Sequence, residues 1–310
     1  MFTSEMTCRG IALALASALI AAPASWAQPP AEVEVPAGVS VAADITYAVV
    51  DGHELQLDLY TPTASAANPP PLLVWVHGGG WRAGSRKSVN GLELVTRGYA
   101  LASVSYRLSP VAPFPAQIHD IKGAIRYLRA HASELGIDVS RVAVMGVSAG
   151  AHLAALVGVT NDSRDHEGRT GGNLEQSSSA QAVVSYFGAS NLTTILEQST
   201  EFGLGIRVPA LELLYGGPPA ENAELARLAS PVFFVEPGDP PLYLLHGDAD
   251  PQMPIEQTLE LHEAAKAHGV EVHLDVVPGA GHGGAEFFAP ARILAVGQFL
   301  DAHLRPTHAN

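Results

Sequence analysis

The sequence predicts an α/β fold: a mostly parallel twisted sheet flanked by helices, with a small cap insertion late in the sheet. Three observations carry this. Short apolar runs recur without polar alternation, as suits parallel strands buried on both faces. Helical stretches separate these runs, and strands alternating with helices indicate a doubly wound parallel sheet. One late stretch, residues 189–240, breaks the alternation with short apolar clusters between Gly and Pro punctuation.

The chain opens with a targeting pattern. Arg9 precedes an apolar run, 11–22, shorter than the roughly 20 residues a membrane span requires. Small residues follow and end in Ser25-Trp26-Ala27, an A-x-A-like cleavage site. Residues 1–27 therefore read as a secretory signal peptide, and the protein as secreted or periplasmic. The single cysteine, Cys8, lies before the apolar run, so the mature chain has neither disulfide nor thiol chemistry. No other stretch is apolar for long enough to serve as a stable membrane anchor. The Pro/Ala/Val-rich stretch 28–42 reads as a linker, and 43–306 as one domain.

The first strands are expected at 45–50 and around Leu55, Leu57 and Leu59, flanking the turn Asp51-Gly52. Their strict alternation predicts a half-exposed sheet edge. After Asn68-Pro69-Pro70-Pro71 the pattern becomes continuous: 72–76, 100–104, 142–147, 182–184 and 242–245 are buried strands. Residues 115–135 form a helix with Ile118, Ile121, Ile125 and Leu128 on one face. A second helix spans 253–267, opening at Pro254 and stopping before Gly269. The polar, Gly/Ser-rich stretch 161–180 reads as a surface loop.

Composition bounds the function. The chain has 310 residues, is 47% apolar and can bury one large core. Its net charge of −14 leaves no basic footprint for phosphates, so nucleic acid is not an expected partner.

Four motifs carry chemistry. Gly146-Val147-Ser148-Ala149-Gly150 lies between a strand and a helix, the setting in which G-x-S-x-G presents a nucleophilic serine. The turn is tight, so the neighbours of Ser148 must be small. His77-Gly78-Gly79-Gly80-Trp81 follows strand 72–76 and can aim backbone N–H groups at a developing oxyanion. Gly79 and Gly80 are the expected donors, joined by the N–H of Ala149. His246-Gly247-Asp248-Ala249-Asp250 follows strand 242–245, and His282 follows the alternating stretch 270–276. Each lies just past the C-terminal end of a strand, where open α/β sheets place their sites. In this scheme His282 takes the Ser148 proton, and an aspartate fixes and stabilises the imidazolium. Spacing leaves Asp248 and Asp250 equally eligible as that aspartate. No metal and no cofactor is called for. The other histidines, such as His119, His152 and His262, lack ligand spacing with supporting carboxylates, and His77 and His246 read as loop braces.

With these residues in view, the chain resembles the hormone-sensitive-lipase and BD-type feruloyl esterase branch of the α/β-hydrolases. The segments VHGGGW (76–81), SYRLSP (105–110), MGVSAGAHLAAL (145–156), HGDADPQMP (246–254) and VPGAGHGG (277–284) carry the resemblance. It implies the α/β-hydrolase fold, Asp250 as the acid, and Asp248 as a turn residue. It implies a cofactor-free serine esterase acting on small-molecule esters, short-chain or aryl and hydroxycinnamoyl. Two departures stand out: Ala151 where relatives carry glycine, and Ala189-Ser190-Asn191 in place of Pro-Thr-Asp. Two other readings remain at this stage. One is an amide hydrolase of kynurenine-formamidase or exopeptidase type. The other is a non-catalytic hydrolase-like binding protein, against which the retained serine and histidine argue.

Overall fold

A computed structural model describes residue 1 and residues 33–305, apart from 65–67 and 162. The expected signal peptide and Cys8 lie outside the described residues. Among the described residues, no helix is long and apolar enough to cross a membrane.

In chain order the elements are β1 (Val39–Val50), β2 (His53–Pro62), β3 (Pro71–Val76), α1 (Glu93–Thr96), β4 (Ala100–Val104), α2 (Ala116–Ala130) and α3 (Ala132–Leu135). Then come β5 (Asp138–Val147), α4 (Ala149–Val159), α5 (Arg164–Glu167), β6 (Ala182–Tyr186), α6 (Ile195–Gln198), α7 (Glu201–Tyr215) and α8 (Ala223–Leu228). The last are β7 (Leu242–Gly247), α9 (Ile255–Ala267), β8 (Val272–Val277) and α10 (Pro290–Leu304).

Among the described residues the strands form one eight-stranded sheet in the order β1-β2-β4-β3-β5-β6-β7-β8. The first two pairings, β1 with β2 and β2 with β4, are antiparallel; the rest are parallel. The continuous apolar runs become strands buried at every residue: β3, β4 and β6 expose none. One apolar layer, including Leu72, Val74, Ile118, Ile121, Ile125 and Leu153, lies under α2 and α4. The other, including Leu73, Trp75, Met145, Val184 and Leu300, lies under α1 and α10.

The structure corrects three expectations. Of the first two strands, only β1 is an exposed edge. From Leu57 to Tyr60, β2 is buried on both faces: Leu57 and Leu59 join one core layer, Tyr60 joins the other, and Asp58 is paired with Arg86 and Lys87. β1 begins at Val39, so the strand takes in the end of the expected linker. The 115–135 helix breaks at His131, and a separate turn, α3, ends at Gly136 in the left-handed region.

The stretch 161–180 is more than a surface loop. Its Glu167 pairs with the buried Lys122 and Arg126 of α2, and Arg126 also donates to Thr170 O at 2.9 Å. Residues 189–240 supply α6, α7 and α8 between β6 and β7. Leu211, Leu214 and Tyr215 of α7 are buried in the larger core layer.

Candidate active site

β5 ends at Val147, and α4 begins at Ala149. Ser148 alone makes the turn, at φ +53° and ψ −119°. That is a strained setting for a residue with a Cβ. Its N–H donates to Tyr186 O at 2.9 Å, and its carbonyl accepts from His152 N at 3.0 Å. The flanking glycines are needed for space. A Cβ on Gly146 would stand 2.5 Å from Val76 O, and one on Gly150 would stand 2.1 Å from it.

Three predicted residues meet here. His282 Nε2 lies 2.8 Å from Ser148 Oγ, and His282 Nδ1 lies 2.6 Å from Asp250 Oδ2. The Asp250 side chain is fully buried, whereas His282 keeps some exposure. Its other oxygen, Oδ1, accepts the N–H groups of Gln252 and Met253 at 2.8 and 2.9 Å. Burial by itself raises the Asp250 pKa. The neighbouring His246 and His282 and the Met253 N–H outweigh burial and hold it well below the usual carboxylate range. His246 Nε2 stands 3.6 Å from Asp250 Oδ2 and bonds to Met253 O at 3.0 Å.

Asp248 is excluded from this group by geometry. Its Oδ1 accepts the Gly279 N–H at 2.6 Å and so closes the turn before His282. The choice that spacing left open between the two aspartates is thus settled by which one touches the imidazole.

Gly79 and Gly80 line the same cleft as Ser148 and His282. Gly79 has φ +110°, and a Cβ there would stand 2.1 Å from Ala83 O. Its carbonyl is turned away to accept Arg82 N–H and Ala83 N–H. Ala149 is the first residue of α4, where an N–H has no intrahelical acceptor. Residues at these three positions can present donors to one oxygen.

The loops are braced from behind. His77 stacks on Tyr106 at 4.4 Å and bonds to Gly78 O through Nδ1 at 2.8 Å. His246 bridges Thr258 Oγ1 and Met253 O. Asp120 on α2 accepts from Arg107 N, Arg107 Nε and Thr170 Oγ1, and so orders the 105–110 loop. Trp81 is fully buried, and its Nε1–H donates to His152 Nδ1 at 3.1 Å. His152 Nε2 lies 2.6 Å from Ala229 O. Both ring nitrogens are thus used in the neutral form. Burial lowers the pKa of His152 to about 4, and that of His77 likewise.

Several lining residues escaped the sequence reading. The cleft has a volume of about 510 Å³, and its walls include Arg82, Asn90, Phe187, Ile206, Gln252 and Phe288. Phe187 lies just past β6 at φ +45°, its ring edge-on to His282 at 4.9 Å. Position past a strand end was the signal that could have found it. Ile206 comes from α7, so the 189–240 insertion supplies one wall. Among the described residues, no group of His, Cys, Asp and Glu side chains converges as metal ligands would.

The comparisons with known proteins agree with this geometry. The family model BD-FAE matches residues 57–265. The chain is 31% identical to esterase LipC and 32% identical to esterase LipQ, both of Mycobacterium tuberculosis, over 73% and 77% of its length. It spans about half of those relatives, 56% of each. Among solved structures, a truncated carbohydrate esterase from gut microbiota superposes with a TM-score of 0.77 at 29% identity, covering 85% of this chain and 96% of that one.

Proposed function

The chain belongs to the BD-FAE family, and on that premise we propose that it is a serine esterase hydrolysing carboxylic esters through an acyl-enzyme on Ser148. The observation that carries this is the continuous hydrogen-bonded line Asp250–His282–Ser148 at the floor of an open cleft. The names of LipC, LipQ and the gut carbohydrate esterase point the same way.

The steps follow from the atoms. Ser148 Oγ attacks the ester carbonyl as His282 Nε2 takes its proton. The negative oxygen of the tetrahedral intermediate is received by N–H groups of Gly79, Gly80 and Ala149. Asp250, ionised and buried, stabilises the imidazolium. His282 then protonates the leaving alkoxide, the C–O bond breaks, and the alcohol departs. Water repeats the sequence on the acyl-enzyme, releasing the acid and restoring Ser148. No step draws on a cofactor.

The substrates in this reading are small esters, of short-chain or of aryl and hydroxycinnamoyl type. The aromatic wall of Phe187 and Phe288 supports the second class. The segment 1–27 supports a secreted or periplasmic location. The test is turnover of p-nitrophenyl acetate and butyrate, with methyl ferulate and N-formylkynurenine in parallel. Ester hydrolysis is expected, with Ser148→Ala reducing kcat by ~10⁴ or more. Absence of turnover of every ester by the mature protein, or full turnover in Ser148→Ala, overturns the proposal.

A further inference from the structure

The cleft has a polar wall for which hydrolysis itself has no use. Arg82 follows the glycine loop, and its side chain lies over Gly80, where a Cβ would stand 3.9 Å from Arg82 Nε. Among the described residues its guanidinium makes no ion pair or hydrogen bond. The side-chain amides of Asn90 and Gln252, on the same cleft, are likewise unengaged; Gln252 is held only through its backbone.

The chain carries 31 acidic and 17 basic residues, and several arginines find a carboxylate. Arg86, Arg107, Arg126, Arg141, Arg292 and Arg305 all do. Arg82 is left without one inside the site, and no Asp or Glu lines that cleft. The lining also includes the apolar side chains of Val147, Phe187, Ile206 and Phe288. The cleft thus combines hydrocarbon surface with a positive, donor-rich set of side chains.

We propose that Arg82, with Asn90 and Gln252, forms a carboxylate-binding subsite, so that the preferred substrates are esters bearing a carboxylate. This rests on the esterase reading above and extends it to substrate charge. A guanidinium presents paired N–H donors in the geometry of a carboxylate, and charge-assisted bonds are the strong ones. The acidic surface elsewhere does not interfere at close range, because screening at physiological salt confines charge effects to ~8 Å.

The experiment compares methyl butyrate with monomethyl succinate, in which a carboxylate replaces the terminal methyl. Hydrolysis is followed by pH-stat in the wild type, Arg82→Gln and Arg82→Lys. The succinate-to-butyrate ratio of kcat/KM should fall about tenfold or more in Arg82→Gln and recover in part in Arg82→Lys. In the wild type the same ratio should fall as salt is raised, a measurement that needs no variant to fold. An unchanged ratio in Arg82→Gln overturns the subsite, as does an equal loss on both esters, which would mark Arg82 as a support of the glycine loop. A wild-type ratio insensitive to salt also counts against it. Failure of the wild type to hydrolyse either ester would instead remove the esterase reading itself.

Discussion

Ser148 is presented at the strand–helix turn by a strained backbone, and the glycines on either side let the chain tolerate it. The strand before and the helix after are short of space, with Gly146 and Gly150 both against Val76 O. Motif, order and context made Ser148 and His282 legible, because nucleophile and base must come from particular residue types. The acid was legible only through family resemblance, since spacing treats Asp248 and Asp250 alike. The structure separates them by hydrogen-bond partner, and this gives a direct prediction. In Asp250→Asn the one remaining oxygen stays with the Gln252 and Met253 N–H groups, so an amide donor faces His282 Nδ1, the wrong tautomer is favoured, and kcat should fall by ~10⁴. Asp248→Asn leaves an acceptor oxygen for Gly279 N–H and should cost less than about tenfold, given that a neutral hydrogen bond is worth ~1 kcal/mol. Ester hydrolysis by the two purified variants decides it; a larger loss in Asp248→Asn would reverse the assignment. Arg82, Asn90 and Gln252 could not be read in advance. Nothing in a lone arginine says that its carboxylate partner is missing until every neighbour has a position.

At the scale of elements, the strands were legible almost to the residue where both faces are buried, as in β3 and β4. They were least legible where the strand is exposed, as at the start of β1. The 161–180 stretch was misread because polarity looks like solvent exposure. Here it reflects a charged seam, with Glu167 meeting Lys122 and Arg126 on α2. A similar internal seam joins the glycine loop, α4 and the insertion through Trp81, His152 and Ala229. It works only while His152 is neutral, since Nδ1 must accept the Trp81 N–H. Stability should therefore depend on pH with a definite sign. His77 and His152 titrate near 6.5 when unfolded and near 4 when folded, because burial disfavours the charged ring. The unfolded chain takes up protons first as pH falls. The contribution of each ring is complete above pH ~6.5 and is lost between there and pH ~4, on the order of 3 kcal/mol apiece. Urea unfolding at pH 7.5 and 4.5 should show this drop. In His152→Leu the protein should be less stable at pH 7.5, with Trp81 N–H and Ala229 O left unpaired, but its drop on acidification should be smaller. An undiminished drop would assign the effect to other groups.

At the scale of the whole molecule, the sheet order brings three distant segments to one edge. β5, β7 and β8 run parallel, so the loops after them, bearing Ser148, Asp250 and His282, emerge on the same side. That convergence is why chain order and strand-end position pointed to Ser148, His282 and the 246–250 segment in advance, with the choice of Asp250 within that segment resting on resemblance. The insertion was harder to read, since a segment that only covers a site and one that also builds the core can share a composition. Here it does the second as well. Leu211 and Leu214 are fully buried, Arg207 donates to Gln252 O at 2.7 Å beside the Asp250 loop, and Asn191 at its start holds Glu260 of α9. Gln257 of α9 accepts the N–H groups of Ser190 and Asn191 and donates back to Asn191 O. A segment tied at both ends and through its middle should not open as a lid. Amide hydrogen exchange should find α7 from Ala210 to Tyr215 protected to nearly the same degree as α4, with no faster-opening unit of its own. Leu211→Ala should then lower global stability by about 2–5 kcal/mol, the range for emptying a core site, rather than raise local opening alone. If α7 instead exchanges orders of magnitude faster than α4, the insertion is a separate mobile unit. Ile206 would then meet the substrate only in the closed state, and the cleft described here would be one of two shapes.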